Sequence, residues 1–132
     1  MSEAGIPEIY FPDGIMGFPD AKHFALVAWG GEESPFSLLH CLEDESIEFV
    51  VVPPLFFFPD YEPVIDDESV ERLELSTGDD AIMLAIVTVP DDPKKATANL
   101  LGPLVINRHT LKAGQVVLSL PDEFVRRPLV PA

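Results

Sequence analysis

Hydrophobic residues in this chain occur in short runs that prolines and polar turn residues interrupt. The richest run is 47–61, IEFVVVPPLFFFPDY, a β-branched stretch that ends at two prolines because proline cannot donate to a strand ladder. On an extended backbone Phe56 and Phe58 face one side and Phe57 the other. Two interpretations follow: Phe57 is covered by a neighbouring loop, or this aromatic segment is part of a binding surface.

Prolines and polar turn residues bound further apolar runs along the chain, and these runs are predicted to be strands. Their predicted ranges are 9–11, 23–29, 36–42, 47–52, 81–89, 100–107 and 115–120. Four polar residues separate 36–42 from 47–52, which favours a hairpin. Between the last two predicted strands, Gly114 is expected in a left-handed turn position.

One short helix is predicted after Tyr61. Asp66 is an N-cap candidate, acidic residues follow it in the first turn, and Gly78 offers a stop. Many short strands with a single helix predict an all-β protein. We expect a small antiparallel β-barrel-like domain, or a pair of packed sheets, that forms one domain over residues 1–132 with one short acidic helix.

Charge is distributed unevenly along the chain. Residues 1–92 hold 21 of the 23 acidic residues and two basic ones, whereas 93–132 hold six basic and two acidic residues. Such a surface repels phosphate backbones and anionic lipid, so we expect no direct nucleic-acid or membrane partner. It suits a basic protein partner, and it equally suits a surface that only maintains solubility.

Features of the sequence are compatible with a cytoplasmic protein. The single cysteine, Cys41, excludes an internal disulfide. The N-terminus has neither the basic nor the apolar region of a signal peptide, and no apolar run approaches the length of a membrane-spanning helix. We therefore expect a cytoplasmic location.

Candidate chemistry is sparse. His40 and Cys41 are adjacent, so on a strand they point to opposite faces and cannot form a thiolate–imidazole pair. His23 and His109 lie outside any ligand spacing typical of metals, and no glycine-rich phosphate loop is present. We predict no catalytic residues, metal, cofactor or small-molecule substrate. The alternative from another class is a small hydrolase with a carboxylate pair, Asp66 with Asp79 or Asp80.

Several motifs, in order along the chain, carry a resemblance to a known family. They are FVVV (49–52), FFFPDY (56–61), LAIVTVP (84–90), TANL (97–100), PLVIN (103–107) and QVVL (115–118). Together they resemble the flagellar assembly factor family, FliW, over about residues 14–129. Gly14 to Phe18 resembles that family's GIPGF turn with Met16 in place of proline, and residues 127–129 resemble its closing segment.

The resemblance implies a small cytosolic β-barrel protein without catalytic activity. It implies that the protein binds flagellin and, alternatively, sequesters the RNA-binding translational regulator CsrA, which relieves repression of flagellin translation. The segment before Gly14 is shorter than is usual in the family, so the first strand is expected to be truncated or paired differently. Met16 is expected to loosen its turn slightly.

Position by position, the resemblance implies that residues of the aromatic segment and of the TANL loop face a partner. The predicted partner-binding residues are Phe57, Asp60, Tyr61, Thr97, Asn99, Leu100 and Asn107. Asn107 has an alternative role, because an asparagine at a strand end also caps its own turn. The residues assigned to the core are Phe49, Phe56, Phe58, Leu84, Ile86, Val105 and Val117.

Overall fold

A computed structural model describes residues 6–30, 34–61, 63–76 and 80–129. The strands are β1 (Ile6–Tyr10), β2 (His23–Ala28), β3 (Ser37–Cys41), β4 (Glu48–Val52), β5 (Ala81–Thr88), β6 (Thr97–Ala98), β7 (Leu104–Asn107), β8 (Ala113–Gln115) and β9 (Arg127–Pro128). The helices are α1 (Pro54–Phe57) and α2 (Asp67–Arg72), and two 3₁₀ turns cover Pro93–Lys95 and Asp122–Arg126. The β-rich prediction is therefore confirmed.

All pairings between the named strands are antiparallel, and β5 is the central strand of the sheet. The strands are ordered β1-β2-β3-β4-β5-β6-β9, and β7 pairs with both β5 and β8. The first half of β5 pairs with β7, and its second half pairs with β4 and β6. The sheet curls so far that the Tyr10 amide N–H at the end of β1 donates to the Leu111 carbonyl, 3.0 Å away, just before β8. The result is a nearly closed barrel.

Strands β2, β3 and β4 form an antiparallel meander, which contains the hairpin that the sequence predicts. In the predicted hairpin, Leu39 pairs with Phe49 and Leu38 pairs with Val50, so the hairpin is confirmed. Because side chains alternate between faces, one face receives Leu39 and Phe49 and the other receives Leu38 and Val50. Both faces of this sheet are at least partly covered.

The first core fills the barrel. Its buried members come from β1 to β5, β7 and β8, with Phe11, Ile15 and Ala21 from the connection after β1. Phe24 packs edge to face on Phe11 with ring centroids 5.3 Å apart and also contacts Phe49 at 6.2 Å. Cys41 is buried in this core, as expected for a cysteine on the face opposite His40.

The second core lies on the other face of β4 and β5 and is covered mainly by segments outside the strands. Buried Val52, Ala85 and Val105 form its floor. Partly buried side chains from α1, the chain around α2 and the C-terminal segment close it: Phe57, Phe58, Ile65, Leu75, Phe124 and Leu129. Its cover therefore consists largely of helical turns and loops, whereas strands supply most of the first core.

Helix α2 begins where the sequence predicts. The Asp66 carboxylate accepts hydrogen bonds from the Ser69 amide at 3.1 Å and from the Ser69 hydroxyl at 2.7 Å, which makes Asp66 the N-cap. These bonds hold the pKa of Asp66 below its usual value. Gly78, the predicted stop, lies outside the described residues.

The C-terminal part of the chain differs from the prediction in where its strands begin and end. Strand β8 covers Ala113–Gln115 and contains Gly114, and the left-handed position before it belongs to Leu111, with φ 63°. Beyond the end of β8, Val116 and Leu118 are buried and Val117 is 59% exposed. The predictions of a turn at Gly114, of a strand over 115–120 and of Val117 in the core are wrong. The strand predicted over 100–107 begins only at Leu104.

Candidate partner-binding site

The aromatic segment is a single helical turn. Pro53 adopts an extended conformation and precedes α1, Pro54 occupies its first turn, and the Phe58 amide donates to the Pro54 carbonyl at 2.8 Å. Proline suits this position because its fixed φ fits a helix start and its missing N–H is not needed there. The extended geometry assumed for these phenylalanines is therefore wrong.

The helical turn changes which ring faces water. Phe56 is 62% exposed, whereas Phe57 is partly buried and lies 5.8 Å, centroid to centroid, from Phe36 of the β2–β3 connection. Assigning Phe56 to the core is wrong, because residues in a helical turn separate by about 100° rather than alternating by 180°. Phe58 packs on the second core as predicted.

Tyr61 joins the aromatic segment to the TANL loop. Its side chain is buried, and its hydroxyl donates to the Leu100 carbonyl over 2.6 Å. Burial raises the pKa of this phenol to about 12. Two segments separated by 39 residues in sequence are thus held together by one buried hydrogen bond.

These two segments enclose one concave site, which we call the knuckle pocket. It has a volume of about 330 Å³ and is lined by Phe57, Phe58, Pro59, Asp60, Tyr61, Leu100, Phe124 and Arg127. Phe57, Asp60, Tyr61 and Leu100 are four of the seven predicted partner-binding residues. Leu100 is only 1% exposed, so its side chain is packed in the core and does not face outward as predicted.

The other three predicted residues are not part of this pocket. Thr97 lies in β6 opposite Thr88 and Pro128. The Asn99 side-chain oxygen accepts from the amides of Leu101 and Gly102 at 3.0 and 2.9 Å, which closes a local turn.

Asn107 is 2% exposed and binds backbone on both sides. Its amide nitrogen donates to the carbonyls of Leu73 and Glu74, and its oxygen accepts from the amides of His109 and Thr110. This geometry favours the capping role for Asn107, because its four hydrogen bonds tie the end of α2 to the loop after β7.

A larger apolar groove lies on the other side of Tyr61. Its volume is about 560 Å³. The lining is formed by α1, the chain on either side of α2 and the start of β5: Pro53, Pro54, Leu55, Tyr61, Pro63, Ile65, Val70, Leu75, Ser76, Ala81 and Met83. Leu55 is 58% exposed at its rim. A groove with this lining is suited to an apolar helix face or to another apolar segment.

Arg127 is a pocket residue that the predicted site lacks. In the sequence it stands only in the closing RPL motif, and nothing in its neighbourhood indicates that the chain folds back on the aromatic segment. Its guanidinium carbon lies 4.8 Å from the ring centroid of Phe124 and 5.8 Å from that of Phe58. These distances fit cation–π contacts with both rings.

Two of the three carboxylates named for the hydrolase alternative, Asp66 and Asp80, have structural roles. Asp66 caps α2, and Asp80 accepts from the Ser76 amide at 2.8 Å and pairs with His109 at 2.9 Å. Asp79 lies outside the described residues. The histidine of the excluded thiolate–imidazole pair, His40, contacts Glu48 at 3.2 Å.

Metal-binding clusters and membrane-spanning helices also bear on function. Among the described side chains, no group of three His, Cys, Asp or Glu converges in a way that would hold a metal ion. In the same part of the chain, no helix is long and apolar enough to cross a membrane.

Comparison with known proteins assigns the family. The family model "FliW protein" matches residues 1–129. The chain belongs to the FliW family. The flagellar assembly factor of Bacillus licheniformis is 36% identical over 121 residues, which span 92% of this chain and 84% of that protein. The corresponding protein of Clostridium botulinum is 38% identical over 123 residues, 93% of this chain and 86% of that one.

A solved FliW structure supports the same assignment. The crystal structure of the flagellar assembly factor FliW superposes with a TM-score of 0.88 at 32% identity, covering all of this chain and 90% of that one. The barrel described above is therefore the FliW fold. The relatives carry the name of an assembly factor, which is a non-enzymatic role.

The FliW turn at Gly14 has a clear steric basis. Gly14 has φ +70°, and a Cβ there would lie 2.5 Å from the Phe18 carbonyl oxygen, so only glycine fits. Met16 stands where the GIPGF motif that this turn resembles has proline, and its amide donates to the Gln115 side chain at 2.9 Å. Proline has no N–H, so this tie between the turn and β8 depends on the departure from the motif.

Proposed function

We propose that this protein acts in the cytoplasm as a partner switch that binds flagellin and, alternatively, the RNA-binding translational regulator CsrA. While flagellin occupies the protein, the regulator is free to repress flagellin translation. When flagellin is exported, the protein sequesters the regulator and translation resumes. Membership of the FliW family supports this role. The observation that carries it is the convergence of Phe57, Asp60 and Tyr61 on one pocket beside the apolar groove.

The basic regulator is expected to bind by electrostatic attraction to acidic residues of this protein. A protein that binds RNA presents basic residues, and this chain has a formal net charge of −15. Complementary charge accelerates encounter and is screened by salt, so regulator affinity should fall as ionic strength rises, mainly through a slower association rate. Asp60, exposed at the rim of the knuckle pocket, is the acidic side chain that we place in this contact.

Flagellin is expected to bind through apolar contact. We place an amphipathic flagellin segment in the groove between α1 and α2, where the lining is mostly aliphatic and aromatic. Burial of apolar surface depends little on moderate salt, so flagellin affinity should change less with ionic strength than regulator affinity does. The two surfaces share Tyr61, which gives a physical route to competition.

Calorimetric titration of the protein with the regulator, with and without excess flagellin and at low and high salt, tests the switch. Saturable regulator binding that flagellin abolishes is the expected result. Failure of a folded, monodisperse sample to bind either partner would contradict the proposed function. Regulator binding that is indifferent to salt would contradict its electrostatic part.

Two pairs of variants separate the contacts. Leu55→Asp places a charge at the groove rim and should weaken flagellin binding about tenfold or more. Val89→Asp, at a similarly exposed valine after β5, should leave flagellin binding unchanged. Asp60→Asn should lower regulator affinity several-fold, whereas Asp91→Asn, an exposed aspartate outside both pockets, should leave it unchanged. Equal effects within either pair would contradict the assigned surface.

A further inference from the structure

Arg127 has an unusual environment for a cation in so acidic a chain. Its backbone is fixed by pairing between β9 and β6, and its guanidinium lies over the rings of Phe58 and Phe124. A half-buried arginine therefore borders a pocket, and none of the described carboxylates lies within ion-pair distance of it.

The aromatic contacts leave the hydrogen-bonding edge of this side chain available. A cation–π contact uses the flat face of the guanidinium, whereas its five N–H donors point outward in its plane. Two phenylalanine rings border the guanidinium and limit its motion before any ligand arrives. The guanidinium fork matches two oxygens of one carboxylate, and holding it in place reduces the entropy that binding would otherwise cost.

The pocket walls define what accompanies the carboxylate. Beside Arg127, the lining consists largely of aromatic and aliphatic side chains: Phe57, Phe58, Leu100 and Phe124. We propose that the knuckle pocket is a carboxylate-recognition site. Arg127 binds a carboxylate of a partner protein segment, and an apolar side chain next to that carboxylate packs on the phenylalanines. This inference rests on the proposed function only for the identity of the partner.

Asp60 is the one described acidic residue in the pocket lining, and it is exposed. Its charge opposes a bound carboxylate, although solvent screens the repulsion. The same substitution should therefore have opposite effects on the two ligands. Asp60→Asn should weaken binding of the basic regulator and strengthen binding of a carboxylate ligand about twofold.

A small probe tests the site without any partner protein. N-acetylphenylalanine carries a free carboxylate beside a phenyl ring, and N-acetylphenylalanine amide is its uncharged match. In ¹⁵N NMR of arginine side chains, the acid should shift the Arg127 Nε–Hε signal saturably at millimolar concentration and leave Arg126 unchanged, and the amide should shift neither. Equal shifts with acid and amide, or no shift of Arg127, would overturn the inference.

Flagellin then tests whether a partner uses the site, because a segment in the apolar groove that continues past Tyr61, which lines both surfaces, would reach the knuckle pocket. Arg127→Gln should weaken flagellin binding at least tenfold. Arg126→Gln makes the same charge change on the exposed neighbour and should alter flagellin affinity less than about twofold. Arg127→Lys keeps the charge and loses the fork, so an intermediate affinity at an unchanged melting temperature separates recognition from loss of folding. Equal affinity of the Arg127→Gln and Arg126→Gln variants would overturn the partner role. If flagellin fails to bind the unmodified protein, the proposed function fails and the NMR probe alone decides the inference.

Discussion

The two cores of this protein bury similar side chains but are closed by different kinds of structure. The first core is enclosed by strands, and Phe24, Leu39 and Leu104 in it have no exposed surface. The second core is covered by one helical turn, one short helix and a C-terminal segment, and many of its aromatic residues remain partly exposed. Both pockets assigned to partners lie in that cover. We therefore expect strand packing to supply most of the stability, and we propose that the cover of the second core supplies the binding surfaces.

The largest expected effect is on the first core. Phe24→Ala removes a fully buried ring that contacts Phe11 and Phe49 and should cost about 3–5 kcal/mol of unfolding free energy through lost burial and cavity formation. Phe56→Ala in the second core's cover is the matched control and should change stability by about 0.5 kcal/mol or less, because Phe56 is largely exposed. Chemical denaturation measures both values. Equal losses would remove the distinction between the cores.

A smaller effect is expected where the second core's cover is attached to the barrel. Asn107→Ala deletes four hydrogen bonds that link the end of α2 to the loop after β7. Leaving their partners unsatisfied should cost about 1–3 kcal/mol. The adjacent exposed Arg108→Ala should be nearly neutral. If denaturation shows the two variants to be equally stable, Asn107 does not hold this attachment.

Tyr61→Phe removes the single hydroxyl that joins the aromatic segment to the TANL loop. The lost hydrogen bond to the Leu100 carbonyl should cost about 0.5–1.5 kcal/mol. The folded-state pKa of Tyr61, about 12, lies above the ordinary phenol value of 10.0. The stabilising contribution is therefore complete below pH 10 and is lost as pH rises from 10 toward 12.

Absorbance titration of phenolate tests this assignment. The unmodified protein should show a phenol that ionises near pH 12, and that step should be absent from the Tyr61→Phe variant. Ionisation of all tyrosines at or below about pH 10 in the folded protein would contradict the buried hydrogen-bonded environment of Tyr61.

The smallest effect concerns the rim of the first core at low pH. The Glu43 carboxylate accepts from the amides of Lys22 and His23 and from the His23 ring, which lowers the pKa of Glu43 from 4.5 to about 2. Its stabilising contribution is present above pH 4.5 and is lost as pH falls toward 2.

Glu43→Gln should therefore reduce the loss of stability between about pH 5 and pH 2.5. Glu45→Gln, an exposed acid in the same turn, serves as the control and should leave the pH profile unchanged. Acid unfolding curves monitored by circular dichroism provide the measurement. Superimposable curves for the unmodified protein and the Glu43→Gln variant would contradict the role of Glu43.

Where the sequence signal was local, it predicted the structure well. Strands β2 to β5 follow runs of apolar residues bounded by turn residues, and the Asp66 cap with its following acids defines the start of α2. The pairing of β3 with β4 follows from the short polar connection. These features depend on neighbours in the chain, so composition and spacing are sufficient to predict them.

The candidate site was predicted only in part. Phe57, Asp60, Tyr61 and Leu100 line one pocket, although the side chains of Tyr61 and Leu100 are buried. Asn107 binds backbone groups, and Arg127 was absent from the predicted set. A family motif identifies a position without stating whether its side chain points inward or outward. That orientation depends on which distant segment packs on it.

The sequence alone determined the β-rich class, the order and approximate bounds of the main strands, the capped helix and the acidic character of the first 92 residues. Only the tertiary structure decided that the three phenylalanines lie in and just after a helical turn. It also decided that Val117 faces out while Val116 and Leu118 face in, and that Arg127 lines the knuckle pocket. The physical reason is that periodicity specifies alternating faces. It does not specify which face another part of the chain will cover, because that depends on contacts between residues far apart in sequence.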